Sequence, residues 1–283
     1  MNIIQQVFDI SEVILASSDH VILNYDKIWE LADQMKADGV VSFFDLEKSY
    51  RVGIHNDVLK ELTASSINYC YWYGMHDIRP NGVSSTSLYE DIEDSFKTSM
   101  LFDKRIYELI KRLSIGRYPL IEERKRHLLE LLNGAEDFTK IICSKEFSGE
   151  RLFHEMIEMF QGFASDTLLK RASLFFIQLY RKFGWYKDDL MMKLPVPADY
   201  QVPKILRHFG CIEYSNSMAE KVDNSILIPK HSLEELQIRA STIKTCEKLQ
   251  NITGWTIADV DTYLWTKRKD TDTPFHLTIT TDY

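Results

Sequence analysis

The chain has 283 residues, 45% hydrophobic and 12% aromatic, which allows a substantial core and excludes a disordered chain. Thirty-four basic residues against 42 acidic ones leave a formal net charge of −8. That balance excludes a broad phosphate-binding face for long nucleic acid, but not a site for one small phosphate, which needs a single local cation.

The four cysteines, Cys70, Cys143, Cys211 and Cys246, form no CxxC pair and no zinc spacing. With no basic-then-apolar leader over residues 1–16 and no run of about 18 apolar residues, they predict a cytoplasmic protein with reduced thiols and no membrane span. In chain order, residues 4–36 show helical spacing that breaks near Ser17-Ser18-Asp19-His20 and resumes with Ile28, Leu31, Ala32 and Met35. Residues 40–75 read as partly extended. Val40–Phe44 and Ile67–Tyr73 are rich in β-branched and aromatic residues and predict short strands. Strand alternation in the second run places Tyr69, Tyr71 and Tyr73 on one face and Trp72 on the other. Asn81-Gly82 predicts a turn.

From about residue 85 the pattern is helical. Leu101, Ile106, Leu109, Ile110 and Leu113 form one apolar face, and Ile121–Leu132 and Leu152–Phe160 give two more helices. Glu122 to Arg126 read as a solvated charged face with i,i+3 and i,i+4 pairs. Asp166–Phe183 has almost no polar face and predicts a central, buried helix, in whose first turns Lys170 and Arg171 must emerge, pair or line a cavity. Residues 221–231 are a polar connection, followed by helices over Leu233–Leu249 and Thr256–Lys267, the second capped by Thr256. The tail from Pro274 to Thr280 alternates and suits a short strand. These elements predict a mainly α (α+β) fold. The expected organisation is a single domain over residues 1–283: a mixed part over 1–84 and a mostly helical part over 85–283. The small β element is drawn from the N-terminal part and the C-terminal tail.

One loop stands out, Leu194-Pro195-Val196-Pro197-Ala198-Asp199-Tyr200-Gln201-Val202-Pro203. It runs into an apolar helix marked by Val202, Ile205, Leu206 and Phe209 that stops at Gly210. Asp199 suits the N-cap of that helix. A carboxylate held rigid by prolines is equally what cleavage of an N-glycosidic bond needs, and both readings stand on local sequence.

Seven stretches, in order, resemble the queuosine salvage family of queuosine 5′-phosphate N-glycosylases/hydrolases. They are Ile67–Trp72, Pro119–Arg124, Leu169–Ala172, Ala198–Pro203 with His208-Phe209-Gly210, Ile238–Ala240, Asp261–Trp265, and Pro274–His276 with Tyr283. The resemblance implies a fold similar to helix-hairpin-helix DNA glycosylases, in which a Pro-x-Asp loop supplies the catalytic aspartate. It implies release of queuine, a 7-deazaguanine base, from queuosine 5′-monophosphate for salvage into tRNA, with ribose 5-phosphate as the other product. The implied partner is that small nucleotide. No cofactor is expected; the acidic balance speaks against nucleic acid, the lack of a long apolar run against a membrane, and the lack of an aspartate cluster against a metal-dependent nucleoside hydrolase.

By the same resemblance Asp199 is catalytic and Asp261 reads the base edge. Pro197, Thr262 and Thr266 fall at base-pocket positions where the family often has Phe, an aromatic and a second aspartate. Lys170, Arg171, Arg207 and His208 are candidates for the phosphate; His208 and His276 read equally as hydrogen-bonded core residues. A DNA-repair glycosylase using the same aspartate and a non-catalytic 7-deazaguanine-binding protein are the competing readings.

Overall fold

The computed structural model describes residues 2–17, 19–40, 53–74 and 82–283. Its first helix, α1 (Ile3–Ala16), begins where the Asn2 side chain accepts the Ile4 amide. A three-residue strand, β1 (Val21–Leu23), and α2 (Tyr25–Asp38) follow, so the predicted break near residue 17 separates two helices. Then come α3 (Ile54–Ile67), α4 (Ser85–Lys97), α5 (Phe102–Ile115), α6 (Ile121–Leu131), α7 (Ala135–Ser144), α8 (Gly149–Met159) and the single turn α9 (Gln161–Ala164). The remaining elements are α10 (Lys170–Phe183), α11 (Gln201–His208), β2 (Ile212–Tyr214), α12 (Asn216–Asp223), α13 (Leu233–Thr253), α14 (Ile257–Thr266) and a 3₁₀ turn, Lys267–Lys269. The described residues thus form a mainly helical fold of fourteen α-helices and one two-stranded antiparallel sheet. Among them no helix is long and apolar enough to cross a membrane.

Two buried helices organise the packing. Helix α13 lies against α1, α2, α11, α14 and β1, and buries polar as well as apolar residues, Arg239 and Glu235 among them. Helix α3 lies against α4, α6, α7 and α10 and is buried almost continuously from Asp57 to Ile67. The predicted burial of the 166–183 segment holds, although the helix itself starts only at Lys170, after Leu169 turns into the left-handed region (φ 52°).

Several strand expectations are corrected. Residues 54–67, expected to be partly extended, are helix α3, and the run from Asn68 to Tyr73 is not a strand. Several of its carbonyls are met by arginine and lysine, and the Cys70 amide donates to the Tyr283 carbonyl at 2.9 Å. Buried Arg124 donates to the carbonyls of Ile67, Tyr69, Cys70 and Pro119, the last two at 2.7 and 2.8 Å. Cys70, at φ 35°, breaks the strand alternation: Tyr69 and Tyr71 share a face, while Tyr73 turns to solvent and donates to the Arg117 carbonyl. Arg124 also corrects the expected solvated face, since it is fully buried with its guanidinium 4.5 Å from the Tyr69 ring centre.

The β element is built differently from expectation too. β1 pairs with β2, Val21 opposite Tyr214 and Leu23 opposite Ile212. The tail contributes only an isolated parallel bridge, Leu227 to Leu277. The polar connection after residue 221 is partly helical, because α12 runs to Asp223. Residues 41–44 of the first predicted strand and Asn81 of the predicted turn lie outside the described residues.

Candidate active site

Proline chemistry shapes the loop before α11. Pro195 and Pro197 are buried and fix φ over the approach, while Pro203 sits in the first turn of α11, where a missing N–H costs no helical hydrogen bond. Asp199 follows directly. Its Oδ1 accepts the amides of Gln201 (2.7 Å) and Val202 (3.3 Å), so it satisfies the start of α11 as a cap does. Among the described residues no hydrogen bond reaches Oδ2. The loop is anchored on one side by an aromatic trio, with Trp72 4.8 Å from Tyr200 and Tyr200 4.9 Å from Phe275 between ring centres. These three rings bring together three stretches far apart in sequence.

Asp199 opens into a cavity of about 1010 Å³. Its walls come from Tyr69 and Tyr71, from the α4 face with Tyr89, Glu90 and Glu93, from α10, from the loop at Pro197, Asp199 and Tyr200, and from Asp261 and Trp265 of α14. Helix α10 presents Lys170, Leu174, Gln178 and Arg181 to the cavity, positions that recur at helical spacing on one face.

Lys170 is buried, and its Nζ donates to the Asn68 carbonyl at 3.2 Å. Burial pushes its ammonium down to about 8, with Asp199 pulling the other way. Asp261 is also buried. Burial pushes its carboxyl up; Arg181 opposes the rise and Asp199 adds to it. Arg181 Nη2 donates to Asp261 Oδ2 at 2.7 Å and Arg181 Nε to Thr262 Oγ1 at 2.9 Å. Asp199, Lys170 and Asp261 therefore feel one another's charge across one space.

Pro197, Asp199 and Asp261 all line the cavity. Thr262 and Thr266 do not. The Thr262 hydroxyl oxygen accepts from Arg181 Nε, and the Thr266 hydroxyl donates to the Tyr263 carbonyl within α14. Of the basic candidates only Lys170 lines the cavity. Arg171 is buried and donates to the carbonyls of Ser66 and Gly162. Arg207 pairs with Asp223, and His208 contacts Thr271 and Thr273. His276 is fully buried against the Tyr283 hydroxyl at 2.9 Å, and burial pushes its ring down to about 3, so it is neutral at physiological pH.

Sequence reasoning missed Arg181 and the α4 wall. The polar stripe of Lys170, Gln178 and Arg181 on an otherwise apolar helix was a usable signal for the first. The second had none, because α4 is brought to the cavity by its packing on α3 and α5. Among the described residues no three His, Cys, Asp or Glu side chains are grouped to hold a metal ion.

Residues 81–283 match the family described as "Queuosine salvage protein". A Dictyostelium discoideum protein named queuosine 5′-phosphate N-glycosylase/hydrolase is 23% identical across 93% of this chain and 88% of its own length. Proteins of the same name from Sphaerobacter thermophilus and Bos taurus are 30% and 27% identical, over 48% and 47% of this chain and 47% and 44% of theirs.

Proposed function

The chain belongs to the queuosine salvage protein family, and we propose that it hydrolyses the N-glycosidic bond of queuosine 5′-monophosphate to queuine and ribose 5-phosphate. The observation that carries this reading is Asp199: two amides fix one carboxylate oxygen, no hydrogen bond among the described residues reaches the other, and the residue lines a cavity with Asp261 and Lys170. Cavities of roughly 300–1,000 Å³ are the size range of small-molecule sites, and about 1010 Å³ accommodates a modified nucleotide.

In this reaction the C1′–N9 bond breaks, and its electron pair goes to the base. Positive charge grows on C1′ and the ring oxygen, water adds its oxygen to C1′, and a proton from that water ends on the base. An ordinary purine leaves more easily after protonation at ring nitrogen 7. A 7-deazapurine has carbon there, so stabilisation of the sugar cation carries more of the barrier. Asp199 supplies it, pre-oriented and needing no rearrangement during the reaction. A guanine-type edge offers N1–H and an exocyclic amine as donors, and Asp261 accepts them. Because Arg181 already occupies Asp261 Oδ2, the base takes the remaining acceptor capacity, while Arg181 opposes the rise that burial imposes on the carboxyl.

The cavity wall mixes Lys97, Lys170, Arg181, Lys182 and Arg268 with Glu90, Glu93 and Asp94. That mixture suits a ligand with an anionic phosphate at one end and a cationic aminomethyl arm at the other. Lys170 takes the 5′-phosphate. Lys170→Met raises KM for the 5′-monophosphate roughly 10- to 100-fold, the size of a charged hydrogen bond worth about 1.5–3 kcal/mol. The ammonium is present below its folded value of about 8 and lost above it, so wild-type kcat/KM falls as pH rises through about 8. In Lys170→Met that alkaline limb disappears; an unchanged limb would remove Lys170 from this role.

The reading is tested by assaying free base from queuosine 5′-monophosphate, unphosphorylated queuosine, guanosine 5′-monophosphate, and DNA containing uracil or methyladenine. Release from the first with little from the others is expected. Release from DNA would point to repair, and no release from any would leave a binding role.

A further inference from the structure

We propose that Arg239 and Asp166 are positioning residues for Asp199, a buried clamp that sets the distance from the reactive carboxylate to the start of α10. The inference rests on the reading of Asp199 as the reacting group. Neither residue lines the cavity, and both are fully buried.

The connection runs through three bonds. Arg239 Nε, on α13, donates to the carbonyl of Ala198, the residue immediately before Asp199, at 3.0 Å. Arg239 Nη2 donates to Asp166 Oδ2 at 2.7 Å. The same Oδ2 accepts the Lys170 amide at 2.8 Å, and Asp166 Oδ1 accepts the Leu168 amide at 3.0 Å. The path Ala198 carbonyl, Arg239, Asp166, Lys170 amide thus joins the backbones at Asp199 and Lys170, which both line the cavity.

Further contacts fix the guanidinium itself. Arg239 Nη1 lies 3.4 Å from Glu235 Oε1, and the Tyr283 ring packs 4.7 Å from its carbon. Tyr283 in turn lines the cavity.

Stability alone is a weak reason to bury such a group. Two charges removed from water gain little over an apolar pair of the same size, whereas a planar fork bonded at three corners holds its neighbours in one geometry. The loop needs such a hold. The prolines restrict its torsions and the aromatic trio fixes Tyr200, but Arg239 is what ties the backbone beside Asp199 to α10. Lysine could not replace it, because a single ammonium cannot reach Ala198, Asp166 and Glu235 in one plane.

The test uses Arg239→Lys and Asp166→Asn in the full chain, with two independent readouts. In the first, both variants lower kcat for queuosine 5′-monophosphate about 100-fold, the cost of misplacing a catalytic group by about 1 Å, and this fall exceeds any rise in KM because the Lys170 ammonium keeps its bond to the Asn68 carbonyl. In the second, hydrogen exchange at the Gln201 and Val202 amides, which hold Asp199, speeds up at least about 10-fold with the rest of α13 unchanged.

Asp166→Asn keeps the shape of the site and decides the matter if Arg239→Lys fails to fold. Wild-type kcat with wild-type exchange in a folded variant overturns the proposal, as does a rise in KM with kcat unchanged. If wild-type protein releases no base, the reading of Asp199 fails, and the exchange of these two amides still decides whether the clamp holds the loop.

Discussion

Asp199→Asn lowers kcat for base release about 10³- to 10⁴-fold and leaves the fold intact. On the proposed reading, with ~3.5 Å between carboxylate and sugar cation and an effective dielectric of ~20, the Coulomb attraction is ~5 kcal/mol, which corresponds to that rate factor. Asparagine keeps an oxygen that accepts the amides of Gln201 and Val202, so the start of α11 survives; Asn and Asp are near-equal helix caps, and the stability change stays within about 0.5 kcal/mol. The contrast with Asp199→Ala separates chemistry from structure. Alanine loses activity to the same extent and in addition about 1 kcal/mol of capping. The check is a pair of measurements on each variant: single-turnover release of the base and the thermal midpoint. An Asn variant with near wild-type kcat would remove Asp199 from the chemistry.

Arg124→Met destabilises the protein by at least about 3 kcal/mol. The guanidinium serves the carbonyls of Ile67, Tyr69, Cys70 and Pro119 in the interior, and methionine leaves all four without it. Each buried acceptor left unsatisfied costs about 1–3 kcal/mol, offset in part because a charge no longer has to be buried. For a chain of this size the expected fall in thermal midpoint is roughly 6–12 °C, read by calorimetry. The same segment carries Tyr69 and Tyr71, which wall the cavity, so KM for the nucleotide rises in whatever fraction stays folded. A variant as stable as wild type would mean that the segment finds its hydrogen bonds elsewhere.

Arg124 also shows where the sequence misleads. Residues 67–73 have the composition of a strand, and nothing local reveals that an arginine 50-odd positions away satisfies their carbonyls. The charged cluster around Arg124 looks like an exposed helix face because charge patterning does not tell which member of an i,i+4 set turns inward. Helix α3 was hidden by the aromatic run that follows it. By contrast, α10 was legible from its nearly continuous apolar run, α11 from its apolar spacing with the stop at Gly210, and α14 from the Thr256 cap.

The candidate site was legible where one short stretch carries both geometry and chemistry, as at Pro197 and Asp199, and where family resemblance marks one residue, as at Asp261. Thr262 and Thr266 sit beside Asp261 in sequence, yet neither lines the cavity; Thr262 accepts from Arg181 and Thr266 donates to the Tyr263 carbonyl. Sequence spacing places them on the right helix but does not tell which side of it faces the cavity. Arg181 and Arg239 act through groups distant in sequence, and only the folded chain brings them together.

The most direct test of the central claim is product analysis with purified full chain and queuosine 5′-monophosphate. Free queuine and ribose 5-phosphate are quantified together over the reaction. Equal amounts of the two, rising at the same rate, are the expected result, because the proposed hydrolysis yields one of each per turnover. Unphosphorylated queuosine and inorganic phosphate in place of free base, or no turnover at all, would contradict it.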